Sequence, residues 1–214
     1  MDKNTAKMGA LKVKRAAKAL KDNNFEVIVV ERRDEVIPAL QKLIKPEDTV
    51  SVGGSMTLFE TGVIDWLRTC GCTLYDRYAP GLTPEQIGEV FRKAFTCDVY
   101  LTSTNALTLD GELVNVDGNG NRVAAMIYGP SKVIVVAGRN KIVEGDVGDA
   151  IRRIKDKSAP PNAMRLGKQT PCAATGFCCD CDAPQRICHV TTIIDSKPSL
   201  TDFHVLVVNE DMGL

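Results

Sequence analysis

The stretch PCAATGFCCDCDAPQRICHV, residues 171–190, holds five of the chain's eight cysteines. Cys172, Cys178, Cys181 and Cys188 are spaced C-x5-C-x2-C-x6-C. A two-residue gap turns the chain back on itself, so Cys178 and Cys181 can chelate one metal centre. Cys172 and Cys188 reach that centre from flanking loop, with Pro171, Gly176 and Pro184 supplying turns and stiffness. Four thiolates suit either tetrahedral zinc or a [4Fe–4S] cluster. Structural zinc usually takes two close pairs and only one is close here, so the spacing favours iron–sulfur, with zinc as the alternative. Cys179 is a spare thiol, and His189 reads as a surface or strand-start residue. Cys70, Cys72 and Cys97 lie at element ends in apolar surroundings and read as core.

Two other segments carry polar residues in unusual places. In SVGGSMTLFETG a strand runs into Gly53-Gly54 and then a helix start. Glycines let backbone approach a ligand, Ser55 caps the helix, and Thr57 adds a hydroxyl, so a phosphate or carboxylate could be held there. A plain tight turn is the competing reading. Neither the nucleoside-triphosphate loop nor the dinucleotide fingerprint fits the spacing. In STNALTLDGELVNVDGNGNRVA, Asp110 and Asn119 read as turn residues. Asn115 and Asp117 flank Val116 in an apolar strand, so both face one side, where polar groups need partners. Asp117 could serve as a general base toward a ligand.

SVGGSMTLFETG and NALTLDGELVNVDGNGNRVAA together resemble the LUD-domain family, named for lactate utilisation, over nearly the whole chain. The resemblance implies the fold of ribose-phosphate isomerase, glucosamine-phosphate deaminase and the CoA transferases, in which the two matching segments form the substrate pocket. It thereby implies Gly53, Gly54, Ser55, Thr57, Asn105, Asn115 and Asp117 as pocket residues, with Glu60, one helical turn on, as a further acid. Similar C-terminal cysteine motifs occur in a subset of the family, without Cys179.

The elements that must position these residues alternate. Apolar, β-branched runs at FEVIVV, DTVSVGG, CDVYLTS, KVIVVAG and FHVLVVNE read as buried strands. Residues 5–22 read as an amphipathic helix, with Lys3, Lys7, Lys14, Lys18 and Lys21 on a solvated face. Thr83, Pro84 and Gln86 form a helix start with a capping box. One helix is expected to carry Met56, Phe59, Val63, Trp66, Leu67 and Cys70 on a single stripe. Asp110-Gly111 marks a hairpin. A helix over DVGDAIRRIKDKSA is expected to end at Pro160-Pro161, where the cysteine loop begins. The pattern predicts one α/β domain over 1–214: a mostly parallel sheet, helices on both faces, an antiparallel hairpin insert, and a cysteine-rich metal-binding loop at 171–189.

Lys plus Arg and Asp plus Glu both number 27 among 214 residues, which argues against a general nucleic-acid binder. The first residues are charged, with no apolar leader, and no run is long enough to span a membrane. A cytoplasmic protein with reduced thiols is expected, in which clustered cysteines mean metal before disulfides. Two functions follow. One is a redox-linked component of lactate utilisation, working beside iron–sulfur protein partners in oxidising lactate to pyruvate. The other is a binding protein or enzyme for a small anionic ligand (sugar phosphate, carboxylate or acyl-CoA) with a purely structural metal. The assembly state, a homo-oligomer included, is left open.

Overall fold

The computed structural model describes residues 3–214. Its strands are β1 (Glu26–Val30), β2 (Thr49–Val52), β3 (Thr73–Tyr75), β4 (Val99–Thr102), β5 (Ala106–Thr108), β6 (Leu113–Asp117), β7 (Lys132–Gly138), β8 (Ile142–Val143), β9 (Val190–Ile194) and β10 (Asp202–Val208). Its helices are α1 (Lys3–Asp22), α2 (Val36–Leu40), α3 (Met56–Glu60), α4 (Val63–Leu67), α5 (Pro84–Lys93), α6 (Asn121–Tyr128), α7 (Val147–Arg153), α8 (Ala159–Arg165) and α9 (Pro171–Thr175).

The near-continuous apolar runs form a six-stranded sheet in the order β1-β10-β7-β4-β2-β3, with every neighbouring pair parallel. Such strands are covered on both faces, and successive side chains divide between two cores. Tyr100, Val133, Val135, Phe203 and Val205 pack with α1 and α6 on one face. Val99, Leu101, Ile134, Val136 and Leu206 pack with α2, α3 and α4 on the other. The lysine face of α1 is exposed, while Val13, Ala17 and Leu20 are buried. Thr83 and Gln86 close the expected capping box on α5.

The hairpin is present, with β5 and β6 antiparallel. It forms the middle of a second, mixed sheet, β8-β5-β6-β9. This sheet packs Ala106 and Val114 against Ala150 and Ile154 of the α7 region.

Two local expectations are corrected. The single helix after β2 is two short ones, because Gly62 adopts φ +70° between them; Phe59 leaves the expected stripe and is exposed. Pro160-Pro161 does not end its helix. At Ile154–Ser158 the backbone widens into a π turn, with Ala159 N donating to Ile154 O five residues back, and both prolines enter the first turn of α8. There a missing N–H leaves nothing unpaired. Among the described residues no helix is long and apolar enough to cross a membrane.

Gly111, in the β5–β6 turn of the second sheet, lies against α1. It sits at φ +88°, and a Cβ there would lie 2.7 Å from the Ala19 carbonyl carbon in the α1 backbone. Gly111→Ala is expected to cost at least ~1–3 kcal/mol from backbone strain alone, more with the clash, read as a lower midpoint in urea denaturation.

Candidate functional site

The carboxyl ends of β2, β4 and β7, the adjoining central strands of the main sheet, open into a cleft of about 570 Å³. Ligands bind there in open α/β sheets, because loops diverge at strand ends and leave a crevice. Gly54 and Ser55 line it after β2, Ser103 and Thr104 after β4, and Lys141 after β7. Asn105 and Asp117 of the second sheet form the opposite wall, so the glycine turn and the β6 strand end face one cleft.

The remaining expected pocket residues divide. Gly53 is buried and does not line the cleft; a Cβ there would lie 2.5 Å from Thr102 Oγ1, so its glycine serves packing. Ser55 Oγ accepts from Leu58 N at 3.3 Å, capping α3. That helix is little more than one turn, so its end contributes a weak field. Thr57 and Asn115 lie just behind the wall, in contact with residues that line it. Glu60 is exposed and is not in the lining; its Oε2 accepts from Gly213 N at 2.8 Å.

Arg122, which the sequence reading missed, organises the wall. It is 8% exposed. Its Nε and Nη2 donate to Asp117 Oδ1 at 2.9 and 2.6 Å. Nη1 reaches Asn115 Oδ1 at 2.6 Å and Ser103 O at 2.8 Å, and Nη2 also reaches Asn105 Oδ1 at 2.7 Å. Asp117 Oδ2 accepts from Val123 N at 3.2 Å in the first turn of α6. Both carboxylate oxygens of Asp117 are therefore engaged. Asn115 Nδ2 is buried without a hydrogen-bond partner among the described residues.

The cleft is cationic although the chain is neutral. Arg77, Arg122, Lys141, Arg165, Lys168 and Arg186 line it, against Asp117 as the one Asp or Glu of the lining. Arg77 is pre-oriented by stacking, with its guanidinium 4.5 Å from the Phe91 ring centroid and 5.4 Å from that of Tyr78.

Lys141, also missed, is 4% exposed. Its Nζ donates to Ser103 Oγ at 2.8 Å and Thr57 Oγ1 at 3.0 Å. Burial, reinforced by the nearby charges of Arg153 and Arg122 and opposed by Glu60, pushes its pKa down from 10.5 to about 7.

A second cavity of about 210 Å³ adjoins the first. Cys172, Cys178, Cys181 and Cys188 all line it, with Cys179 and the apolar Val116, Ile151 and Ile154. Cys172 is on α9, where Thr170 caps the helix, and its thiol lies 3.3 Å from Thr170 Oγ1. Burial, then the neighbouring thiols of Cys178, Cys172 and Cys181, push the Cys188 thiol up. Among the described residues no three His, Cys, Asp or Glu side chains converge on a single ion. Arg186, Ile187 and Cys188 line both cavities; Arg186 Nη2 donates to Cys188 O at 2.7 Å, and its Nε is buried without a partner among the described residues. His189 is exposed, and its N–H donates to Asp117 O at 2.9 Å.

Two outcomes follow. Arg122→Met leaves Asp117 buried and unpaired, so stability should fall by about 3–5 kcal/mol in chemical denaturation. For Lys141 the folded pKa lies below the unfolded one. Between about 7 and 10.5 the unfolded chain therefore binds the extra proton, and stability from this group rises with pH. Below that window the full cost of burying the charge is present. The stability difference between wild type and Lys141→Met should change by up to ~1.4 kcal/mol per pH unit across the window.

The model of the LUD domain matches residues 13–208. A crystal structure of a DUF162 family protein from Deinococcus radiodurans matches with a TM-score of 0.51 at 13% identity, over 94% of this chain and 97% of that one, a likeness of fold. No curated protein matches the chain. The family match extends from within α1 to the end of β10, taking in both sheets and, Leu214 apart, the linings of both cavities, and the chain belongs to the LUD-domain family.

Proposed function

We propose that this protein is a redox-linked component of lactate utilisation, which binds a small carboxylate in the cationic cleft beside a cysteine-held iron–sulfur centre. Family membership supports the association with lactate utilisation in general. The observation that carries the finer reading is the shared wall: Arg186, Ile187 and Cys188 stand between a cationic cleft and a cavity lined by four spaced cysteines.

Cys172, Cys178, Cys181 and Cys188 would hold the centre. A zinc ion, with bonds near 2.3 Å, needs four thiolates drawn tightly together, whereas a larger cluster suits thiols spread around a cavity of about 210 Å³. Bound there, a [4Fe–4S] cluster supplies one-electron transfer, toward iron–sulfur partner proteins. The residues of the cleft do the rest. Arg77 and Arg186 offer N–H donors to a carboxylate. Arg122 keeps Asp117, Asn115 and Asn105 in register, and gives Asp117 an anchoring role in place of proton transfer. Gly54, exposed at the cleft, leaves room for the ligand beside Arg77.

Anaerobically purified protein should show a broad absorbance in the blue region that bleaches with dithionite. Cys178→Ala and Cys181→Ala should lose iron, while Cys179→Ala keeps it. A colourless protein with one zinc would favour the alternative, a small-molecule protein with a structural metal. Arg77→Met should weaken lactate or pyruvate binding by about tenfold or more in calorimetric titration, the worth of one charge-assisted hydrogen bond. Unchanged affinity would remove Arg77 from the ligand site.

A further inference from the structure

A buried lysine is ordinarily paired with a carboxylate, because an unpaired charge in the interior is costly. Lys141 is not. Its Nζ rests on two hydroxyls, Ser103 Oγ and Thr57 Oγ1, and no carboxylate among the described residues pairs with it. The charged groups that face it come from three other elements: Arg153 of α7 and Arg122 of α6 repel a proton, and Glu60 of α3 attracts one. Arg122 is itself neutralised by Asp117, and Arg153 is held by Asn140 O, Asn105 O and Ser158 Oγ, so both guanidiniums are fixed in place. Lys141 is at the carboxyl end of the central strand β7 and lines the cleft that gathers cationic side chains. An amine held on hydroxyls, short of a counter-ion and open to an anion-binding cleft is arranged to react rather than to pair.

We infer that Lys141 is a nucleophilic amine that condenses with the carbonyl carbon of a small 2-oxo carboxylate held in the cleft. The inference rests on the anion-binding reading of the cleft and goes beyond it, since neither binding nor electron transfer needs a covalent bond. The step is balanced without a redox partner. The nitrogen lone pair forms a C–N bond as the carbonyl π pair moves to oxygen. The attack by the neutral amine leaves the positive charge on nitrogen, and the oxygen takes one proton from that nitrogen and a second from the Ser103–Thr57 hydroxyl pair, which recovers one from solvent. Water leaves as the nitrogen lone pair forms the C=N bond, and a protonated imine remains. The arginines hold the carboxylate, which places the adjacent carbonyl toward Nζ. The lowered pKa of Lys141, about 7, keeps a usable fraction of the amine unprotonated at neutral pH.

The test uses the intact wild-type protein, with pyruvate as probe, in two arms. Calorimetric titration reads anion binding, and sodium borohydride added with pyruvate reads imine formation, located by peptide mass mapping. The expected result is one reduced pyruvyl adduct per chain on Lys141, absent from Lys141→Arg and Lys141→Met. Labelling by acetone, which lacks the carboxylate, should be at least about tenfold slower. Pyruvate binding without an adduct on Lys141 overturns the inference and leaves the anion cleft standing. Neither binding nor adduct overturns both. Adducts confined to surface lysines, or equal labelling by acetone, also overturn it. The wild-type arms stand whether or not the variants fold.

Discussion

The interaction on which the rest of the site depends is the buried ion pair of Arg122 and Asp117. The guanidinium comes from the first turn of α6, the carboxylate from the end of β6, and the remaining N–H groups reach Asn115, Asn105 and the Ser103 carbonyl after β4. Three successive segments between Ser103 and Arg122 are thereby held together. Burying both charges is expensive, and only the additional hydrogen bonds of the network offset that cost. Such a network buys geometry more than stability. It sets the angle between the main sheet, which ends at Ser103, and the second sheet, which carries Asn115 and Asp117, and the cleft is the gap between them.

Placing that gap at the ends of the central strands has an electrostatic consequence. Arg77 and Lys141 come from the main sheet's own loops, while Arg165, Lys168 and Arg186 come from α8 and the C-terminal segment beyond it. Apart from Asp117, the Asp and Glu side chains lie outside the lining, among them Asp182, which is exposed and pairs with Arg186 at 3.1 Å. Charge neutrality over the chain is thus compatible with a strongly positive cleft, because neutrality is a sum and the field at a site is local.

The two cavities are neighbours for a backbone reason. The π turn at Ile154–Ser158 lets one helical run continue past two prolines, and Ile154 and Ala159 face both cavities from it. A regular α-helix of the same length would rotate those side chains away. π turns recur at functional sites for this cause: the extra residue re-aims the side chains that follow. Lys155, in the same turn, pairs with Asp180 at 2.5 Å and so ties the cysteine loop to the helix over the cleft.

The sequence by itself determined the layers: apolar β-branched runs alternating with helical periodicity, the capping box at Thr83, and the Asp110-Gly111 hairpin are local signals, and each corresponds to an element of the fold. It also marked Gly54, Ser55 and Asp117, because a glycine turn with a capping serine at a strand end, or a polar residue in an apolar strand, is anomalous within a short window; Asn105 came only with the family resemblance. Tertiary structure alone decided which of the marked residues share a wall. Gly53 turned inward against Thr102, and Glu60 turned outward to Gly213. It alone revealed Arg122, Arg77 and Lys141, since a lysine three residues past a strand or an arginine in a helix's first turn has no unusual local pattern. Their character comes from neighbours that are far away in sequence: Thr57, 84 residues from Lys141, and Ser103, 38 residues away, strip the amine of water and leave it without a counter-ion. Burial and charge pairing are properties of the assembled interior, and no stretch of the chain carries them until its distant parts meet.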